Sequence, residues 1–243
     1  MGALDLDTLT WPEVRAAIDA GRDTVVVAFG ATEQHGPHLP LGTDALLGDH
    51  LARRVADRLD AFVAPTVRLG CSSHHLAFPG TLSLADATFH AIVADVVRSL
   101  ARGGFRRVVL LPTHGGNFGP LGAALERLGP VDGIEVRAVT DVGKLLAIPQ
   151  LGVAEHGVPL GEGGLHAGEW ETSLMLVAEP GLVRETREPG YTGDLQDALG
   201  AIFGSGVDAI SANGVIGDPA AASAAHGQRY WEALVDLVLE AIA

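Results

Sequence analysis

Two short, uninterrupted runs of apolar residues constrain the fold of this chain more than any other feature of its sequence. They are Thr24 to Phe29 (TVVVAF) and Arg107 to Leu111 (RVVLL). Runs of this length without polar alternation are typical of strands buried on both faces, as in a parallel sheet. Weaker runs of the same type are Ala61 to Val67, Ile134 to Thr140 and Ser173 to Val177. The sequence therefore predicts a mostly parallel β-sheet.

Segments with apolar residues at helical spacing lie between these runs. They are Asp44 to Leu59, Ala87 to Ala101, Leu121 to Leu128 and His226 to Ile242. Alternating strands and helices predict an α/β protein with helices on both sides of the sheet. Pro65 interrupts one weaker run, which predicts that this strand is absent or lies at an edge. No linker-like stretch divides the chain, so we predict one domain over residues 1–243.

The composition excludes several classes of protein. The chain has 16 basic and 30 acidic residues, a formal net charge of −14 with neutral histidines. Such a surface repels phosphate backbones, so we predict no nucleic-acid partner. No apolar run is long enough to cross a bilayer, so we predict no membrane partner either. Because the single cysteine, Cys71, forms no internal disulfide and the first residues lack a basic leader, we predict a cytoplasmic protein.

The loop after the first strong run carries a dense set of potential metal ligands. Its sequence, GATEQHGPHLPLGTDA, contains Glu33, His35, His38 and Asp44. Glu33 and His35 are two residues apart, so in an extended segment they lie on one face and can reach neighbouring metal ions. Asp44 lies at the predicted start of a helix, where an acid can also cap backbone N–H groups. By itself the loop is equally consistent with solvated polar residues and a plain helix cap.

Two further clusters follow in the sequence. His114, in PTHGGNFGP, lies at the carboxyl end of the second strong run, the edge at which open α/β sheets bind ligands. His166, Glu169 and Glu171 lie in GLHAGEWETSLML, next to an apolar run. Glutamate is almost never buried unpaired, so acids beside a buried segment indicate a site. The simpler interpretations are an incidental turn histidine and two acids on an exposed strand face.

Imidazole and carboxylate ligands together suit Zn, Mn or Fe(II) in hydrolytic sites. Two such ions, bridged by an aspartate and a water, are a common hydrolytic device. A second pair of histidines, His74 and His75, precedes the segment FPGT. This pair is equally consistent with a pocket wall and with a polar loop.

Three motifs resemble the creatininase family of metal-dependent amidohydrolases. They are EQHGPHLPLGTD (Glu33 to Asp44), HGGN (His114 to Asn117) and HAGEWETS (His166 to Ser173), in the family's order. The resemblance implies a single-domain, three-layer α/β/α sandwich with a mostly parallel sheet. It also implies a dinuclear metal centre and a homo-oligomer, commonly a hexamer.

By this resemblance, one metal ion is held by Glu33, Asp44 and His114. The other is held by His35, the bridging Asp44 and a further glutamate. The family's own glutamate lies in a His-Tyr-Glu segment whose last position is Gly116 in this chain. Glycine offers no side-chain ligand, so the glutamate has to come from another segment.

The replacement ligand is Glu171 or Glu169. We favour Glu171, which lies in the ETS part of the motif, and Glu169 is then an acid behind the ligands or facing the substrate. His166 resembles the family's catalytic histidine, which would protonate the leaving nitrogen or polarise the carbonyl. A substrate-stacking tryptophan of creatininase lies four residues before that histidine, where this chain has Glu162, so creatinine is not the predicted substrate.

The resemblance therefore predicts a metal-dependent amidohydrolase that cleaves a C–N amide bond, in a cyclic amide or a formamide, by a metal-bound hydroxide at a dinuclear centre. It implies a small-molecule amide substrate and two divalent ions per chain, with Zn as the first choice and Mn or Fe as the next. A peptidase of the same family, trimming a short peptide, is the main competing hypothesis, because Asn213 to Leu234 resembles the mycofactocin-type branch. A non-catalytic metal-binding subunit and a hydrolase that uses the Cys71 thiol are two weaker hypotheses.

Overall fold

The computed structural model describes residues 2–243, without the side chain of residue 145. Within this range one sheet of five parallel strands has the order β1-β3-β2-β4-β5. The strands are β1 (Leu4–Asp5), β2 (Thr24–Phe29), β3 (Phe62–Val63), β4 (Arg107–Pro112) and β5 (Glu135–Ala138). The two strong apolar runs of the sequence are thus β2 and β4, which pair along their whole length at the centre of the sheet.

Helices connect and cover these strands. The α-helices are α1 (Trp11–Asp19), α2 (Thr43–Leu59), α3 (Asp86–Gly103), α4 (Phe118–Leu128), α5 (Ala147–Leu151), α6 (Leu160–Gly163), α7 (Glu169–Ala178), α8 (Leu195–Ser205) and α9 (Ala224–Ile242). A π-helical turn, Gly152–His156, and several short 3-10 helices complete the connections. The four predicted helices correspond to α2, α3, α4 and α9. None of the helices within residues 2–243 is long and apolar enough to cross a membrane.

The central strands divide their side chains between two cores. Val26 and Ala28 of β2 pack in the core beneath α2, α7 and α9. Val25, Val27 and Phe29 pack in the opposite core beneath α1, α3 and α4. Successive side chains of a strand point to opposite faces, so a strand covered on both faces is apolar at every position. The predicted three-layer α/β/α sandwich is confirmed.

The strand β3 is shorter than the predicted run Ala61 to Val67, and it is not an edge strand. It pairs with β1 on one side and β2 on the other. After Val63 the N–H of Ala64 still donates to the carbonyl oxygen of Val26 at 2.9 Å, but Pro65 then has no N–H to donate and the strand ends. Pairing resumes where the N–H of Val67 donates to the carbonyl oxygen of Ala28 at 2.9 Å. The prediction of an edge position is therefore wrong, because the short strand β1 occupies that edge.

The prediction of a strand at Ser173 to Val177 is also wrong, because the segment belongs to helix α7. All residues from Glu169 to Met175 are buried, so no polar face marks the helix in the sequence. Periodicity alone cannot distinguish a helix buried in this way from a buried strand. The two glutamates of HAGEWETS consequently lie in the first turn of a helix, not on a strand face.

Candidate metal centre

The loop between β2 and α2 folds back on itself at the carboxyl end of the sheet. The N–H of Glu33 donates to the carbonyl oxygen of Leu41 at 2.8 Å, which closes the loop. Helix α2 then begins almost in contact with the end of β2. A Cβ atom on Gly30 would lie 2.6 Å from the Cα atom of Ala45, so only glycine permits this approach. The closed loop brings Asp44 beside Glu33 and His35, which precede it in the same loop.

Asn117, the last residue of HGGN, fastens three segments around this loop. Its Nδ2 donates to the carbonyl oxygens of Phe29 and Gly30, both at 3.0 Å. Its Oδ1 accepts from the N–H of Cys71 at 2.9 Å. The side chain is fully buried, so these bonds replace those it would make with water. The sequence placed Asn117 in a motif but indicated no role for it.

Asp44 lies between two histidines from different segments. Its Oδ1 is 3.3 Å from Nε2 of His35, and its Oδ2 is 3.5 Å from Nδ1 of His114. All three side chains are buried. The residue does not cap α2, since the N-cap position is Gly42. Asp44 therefore presents one carboxylate oxygen to each histidine, the arrangement that a bridging ligand requires.

Glu33 lies on the other side of His114. Its Oε1 is 3.2 Å from Nδ1 of His114, 3.3 Å from Nε2 of His75 and 3.8 Å from Nδ1 of His166. Burial by itself would raise the pKa of Glu33, but the charges of His114 and His35 hold that pKa below its ordinary value. The acid is therefore ionised at the centre of a ring of imidazoles.

The three predicted histidines share one arrangement of their rings. Each donates one ring N–H to a backbone carbonyl oxygen: His35 to Glu33 (3.1 Å), His114 to Cys71 (3.2 Å) and His166 to Gln34 (2.6 Å). The other ring nitrogen of each then faces the carboxylates. Histidines that bind metal ions are commonly held in this way, because the second bond fixes the tautomer and the ring orientation.

Two of these rings, those of His35 and His114, are protonated on both nitrogens and positively charged when no metal is bound. Burial opposes the charged form of His35, but Asp44 outweighs it and raises the pKa of His35 to about 10. For the same reason Glu33 raises the pKa of His114 to about 9. A metal ion that binds these nitrogens must displace those protons.

The donor set fits divalent metal ions. Both oxygens of Glu33, Nε2 of His35 and Oδ2 of Asp44 are buried and make no hydrogen bond to the described residues. Leaving such groups without a hydrogen bond is costly, and bound cations would satisfy them. Three overlapping groups have ligand atoms within 4.8 Å of one another: Glu33–His35–Asp44, His35–His166–Glu171 and Glu33–His75–His166.

Of the two candidate glutamates, Glu171 joins this cluster and Glu169 does not. Glu171 lines the pocket and belongs to the group with His35 and His166. Burial raises the pKa of Glu171 to about 7, and the charge of Asp44 also raises it, against the opposing effect of His35. One Glu171 oxygen accepts from the N–H of Ala167, which turns the carboxylate back toward the loop before α7.

The carboxylate of Glu169 is used elsewhere. Its Oε1 accepts from Ser173 Oγ at 2.8 Å and from His226 Nδ1 at 2.7 Å. Its Oε2 accepts from the hydroxyl of Tyr230 at 2.8 Å. These partners fasten α7 to α9 behind the site. We therefore give Glu169 no part in metal binding or in contact with the substrate.

Gln34 and His75 are the site residues that sequence analysis missed or left open. Gln34 Oε1 accepts from the N–H of Gly36 at 2.9 Å, which fixes the orientation of the amide. The amide nitrogen then donates to His75 Nδ1 at 2.9 Å and to the carbonyl oxygen of Gly214 at 3.0 Å. His75 Nδ1 is therefore an acceptor, and its Nε2 keeps the proton that faces the cluster. The signal in the sequence was only a glutamine inside the first motif and a histidine near FPGT.

Gly116 occupies the position at which the family implies a glutamate. A Cβ atom there would lie 2.4 Å from the carbonyl oxygen of Cys71 and 2.4 Å from Nε2 of His114. It would also lie 2.9 Å from Cε1 of His74, whose ring stacks on His114 with centroids 5.6 Å apart. The loop is thus built around glycine, and the last ligand has to come from another segment.

The cluster opens into a pocket of about 500 Å³. This volume is within the range of small-molecule sites, roughly 300–1,000 Å³. Val142, Gly143, Leu146 and Pro149 form part of the wall, and Phe203 of α8 forms another part. Cys71 is not placed to act as a nucleophile. Burial raises the pKa of its thiol to about 12, so the thiol stays protonated. The structure therefore disfavours the cysteine-dependent hydrolase.

Comparison with known proteins agrees with this site. The family model Creatininase, described as creatinine amidohydrolase, matches residues 7–242. The mycofactocin precursor peptide peptidase of Mycobacterium tuberculosis is 36% identical over 225 residues, 88% of this chain and 82% of that protein. The creatinine amidohydrolase of Pseudomonas putida is 36% identical over 187 residues, 72% of each.

Solved creatininase structures superpose on nearly the whole chain. A manganese form has a TM-score of 0.79 at 30% identity and covers 99% of this chain and 97% of its own. A mutant described as Zn-Zn type has a TM-score of 0.78 at 30% identity, with coverage of 100% and 98%. The predicted resemblance, fold and class of enzyme are confirmed, and divalent metal ions as cofactors are supported. The chain belongs to the creatininase family of hydrolases.

Proposed function

We propose that the chain is a metal-dependent amidohydrolase with a dinuclear centre. One ion would be held by Glu33, Asp44 and His114, and the second by His35, Asp44 and Glu171. The observation that carries this proposal is the position of Asp44, whose two oxygens lie 3.3 and 3.5 Å from nitrogens of two different histidines. A pair of bound divalent ions would polarise a carbonyl group and lower the pKa of water toward neutrality.

His166 is the residue that we assign to proton transfer. Burial keeps the pKa of His166 well below its ordinary value, so the ring is neutral at the start of a turnover. Its Nε2–H is fixed on the Gln34 carbonyl, which leaves Nδ1 free to accept a proton from the attacking water. The same atom can then donate that proton to the leaving amide nitrogen. Glu33, with Oε1 3.8 Å from Nδ1, stabilises the ring while it is protonated.

Metal content tests the proposal directly. Elemental analysis of protein purified without chelator should give about two ions per chain, the count for a bridged centre. Asp44→Ala should lose most of both ions. Asp49→Ala is the matched control, because Asp49 lies on the same helix and pairs with the exposed Arg68 instead. Two ions retained by Asp44→Ala, or none bound by the wild type after soaking in Zn, Mn and Fe(II), would contradict the dinuclear centre.

The substrate that we propose is a small non-peptide amide, a cyclic amide or a formamide. The support is the relative from Pseudomonas putida, which is named creatinine amidohydrolase. The carboxylates and imidazoles also line a pocket of about 500 Å³, a volume that suits a small molecule. Screening lactams, formamides and short peptides by mass spectrometry should give hydrolysis of a non-peptide amide.

A peptidase that trims a short peptide is the second candidate. The relative from Mycobacterium tuberculosis is named a peptidase and matches more of this chain than the Pseudomonas protein does. The pocket that would have to admit the peptide is lined in part by Val142, Gly143, Leu146 and Pro149. Turnover of peptides without turnover of lactams or formamides would favour this candidate. Two ions bound without turnover of any amide would favour the non-catalytic subunit.

The homo-oligomer and the cytoplasmic location remain predictions. Family resemblance implies a hexamer, and sedimentation equilibrium of the metal-loaded protein would test it. A monomer at micromolar concentration would contradict this prediction.

A further inference from the structure

The pocket has one polar end and an extended apolar wall. The polar end is formed by the acids and imidazoles of the proposed centre. The wall comes from several elements, and its large side chains include Leu51 of α2, Phe118 of α4, Leu174 of α7, Phe203 of α8 and Trp231 of α9. A ligand whose reacting group lies at the polar end would therefore bury the rest of its surface against apolar atoms.

The wall offers no partner for a charged group. Among the described residues that line the pocket there is no lysine and no arginine, and the acids are all at the polar end. Burying a charge without a partner costs far more than an apolar contact returns. A substrate with a carboxylate or an ammonium group in this part of the pocket would be rejected. The portion that binds there has to be uncharged.

One polar atom in the wall has no partner. Trp170 lines the pocket and is only 8% exposed, and its Nε1 is buried without a hydrogen bond to any described residue. Buried indole N–H groups usually have a partner. Trp231, in the same wall, has one, since its Nε1 donates to the carbonyl oxygen of Leu174 at 3.2 Å. The N–H of Trp170 is therefore unsatisfied, and an acceptor atom that reached it would supply the missing hydrogen bond.

We propose that the substrate carries an uncharged, largely apolar group that fills this pocket, with one acceptor oxygen that takes the N–H of Trp170. The inference rests on the proposed amide hydrolysis, because the position of the metal ions defines which end of the ligand reacts. It narrows the substrate class to amides with an aromatic or branched aliphatic portion. Amides that carry a charge on that portion are excluded.

Hydroxamates test this proposal, because they bind divalent metal ions and can carry different side groups. Acetohydroxamate is the minimal probe, and phenylacetohydroxamate adds an apolar ring. Phenylacetohydroxamate with an acetyl group on its ring adds an uncharged acceptor oxygen. The analogue with a carboxylate in place of the acetyl group has nearly the same size but carries a charge. Calorimetry on the zinc-loaded wild type should give binding at least tenfold tighter for the phenyl compound than for acetohydroxamate, a difference of about 1.4 kcal/mol that burial of the ring would supply. The carboxylate analogue should lose that gain.

Trp170→Phe removes the indole N–H but keeps an aromatic ring, so it tests the hydrogen bond separately from the apolar contact. Of the ortho-, meta- and para-acetyl isomers of phenylacetohydroxamate, the variant should lose about fivefold in affinity for the one that binds the wild type most tightly, the loss expected for one hydrogen bond. Its affinity for phenylacetohydroxamate should change little. Trp11→Phe is the control, because Trp11 is 81% exposed on the surface. In protein with ¹⁵N-labelled tryptophan, the indole signal that disappears in Trp170→Phe should move downfield when the acetyl compound binds, whereas the signal of the exposed Trp11 should not move.

The outcomes distinguish this proposal from the proposed function. Acetohydroxamate that binds to the zinc-loaded protein but not to the metal-free protein would support the metal centre. If the phenyl compounds then bind no tighter, or if the carboxylate analogue binds as tightly as the acetyl compound, the inference about the pocket is wrong. An unchanged acetyl preference in Trp170→Phe would overturn the role of the indole. Failure of every hydroxamate to bind the zinc-loaded protein would overturn the metal centre, and this inference with it.

Discussion

The Nε2 atom of His166 lies 2.6 Å from the backbone carbonyl oxygen of Gln34. A carbonyl oxygen only accepts, so the imidazole must carry its proton on Nε2 and present a free Nδ1 to the carboxylates. The tautomer of His166 is thus determined by the backbone of the first motif, more than a hundred residues earlier in the chain.

We expect His166→Asn to lose activity and keep its metal. Removing a proton-transfer residue costs typically 10²- to 10⁴-fold in kcat, whereas the proposed ligands of both ions remain. Steady-state kinetics and elemental analysis on the same preparation measure both effects. Because His166 also lies within reach of two possible ligand groups, loss of one ion together with activity would show that it is a ligand instead.

The neighbouring glutamates of α7 should separate metal binding from stability. Glu171→Gln should lose one ion, because it removes a ligand charge from the group with His35. Glu169→Gln should keep both ions and lose about 1–3 kcal/mol of unfolding free energy, because its amide would face three donor groups. Urea unfolding and elemental analysis of both variants test the assignment, which the reverse pattern of metal loss would contradict.

Metal binding should release protons at neutral pH. The pKa values of about 10 for His35 and about 9 for His114 mean that both rings are protonated in the metal-free site at pH 7. We expect the apparent metal affinity to rise with pH up to about pH 9–10 and the number of protons released to fall over the same range. Calorimetry in buffers of different ionisation enthalpy measures that number. Metal uptake at pH 7 with no proton release would contradict this account.

The raised pKa values of His35 and His114 also predict how the stability of the metal-free protein depends on pH. Both folded-state pKa values are raised, so the protonated rings contribute stability that is fully present below about pH 6.5, the unfolded value. This contribution is lost as the pH rises through about 9 and 10. Urea unfolding of metal-free protein between pH 7 and 10 should therefore give a falling free energy. Asp44→Ala, which lacks the principal partner of His35, should have a flatter profile.

Gly116 and Gly115 offer a matched pair of substitutions. Gly116→Ala should displace His114 and weaken metal binding, because its Cβ would meet a backbone carbonyl at 2.4 Å. Gly115→Ala should leave metal content unchanged, since no atom lies within 4 Å of the Cβ position. Titration of each metal-free variant with zinc compares their affinities. Equal affinities in the two variants would mean that the loop moves aside without disturbing the ligand.

The sequence alone determined the architecture and most of the candidate site. β2 and β4 are buried on both faces, and such strands have to be apolar at every position, so their runs identified the centre of the sheet. The first motif and His114 follow these two strands, and the carboxyl ends of neighbouring parallel strands meet at one edge. Residues that strand direction brings to one edge are predictable from sequence order.

The tertiary structure decided what depends on side-chain direction and on contacts between distant segments. The segment from Glu169 to Ala178 is a helix in which every residue up to Met175 is buried, and the apolar pattern did not distinguish it from a strand. Only the packing of α7 against α9 directs Glu169 toward Tyr230 and leaves Glu171 in the cluster. The contact of Gln34 with His75 joins loops that are far apart in the chain, so no local pattern could record it. The sequence therefore determined which residues reach the edge of the sheet, and packing decided which atoms face one another there.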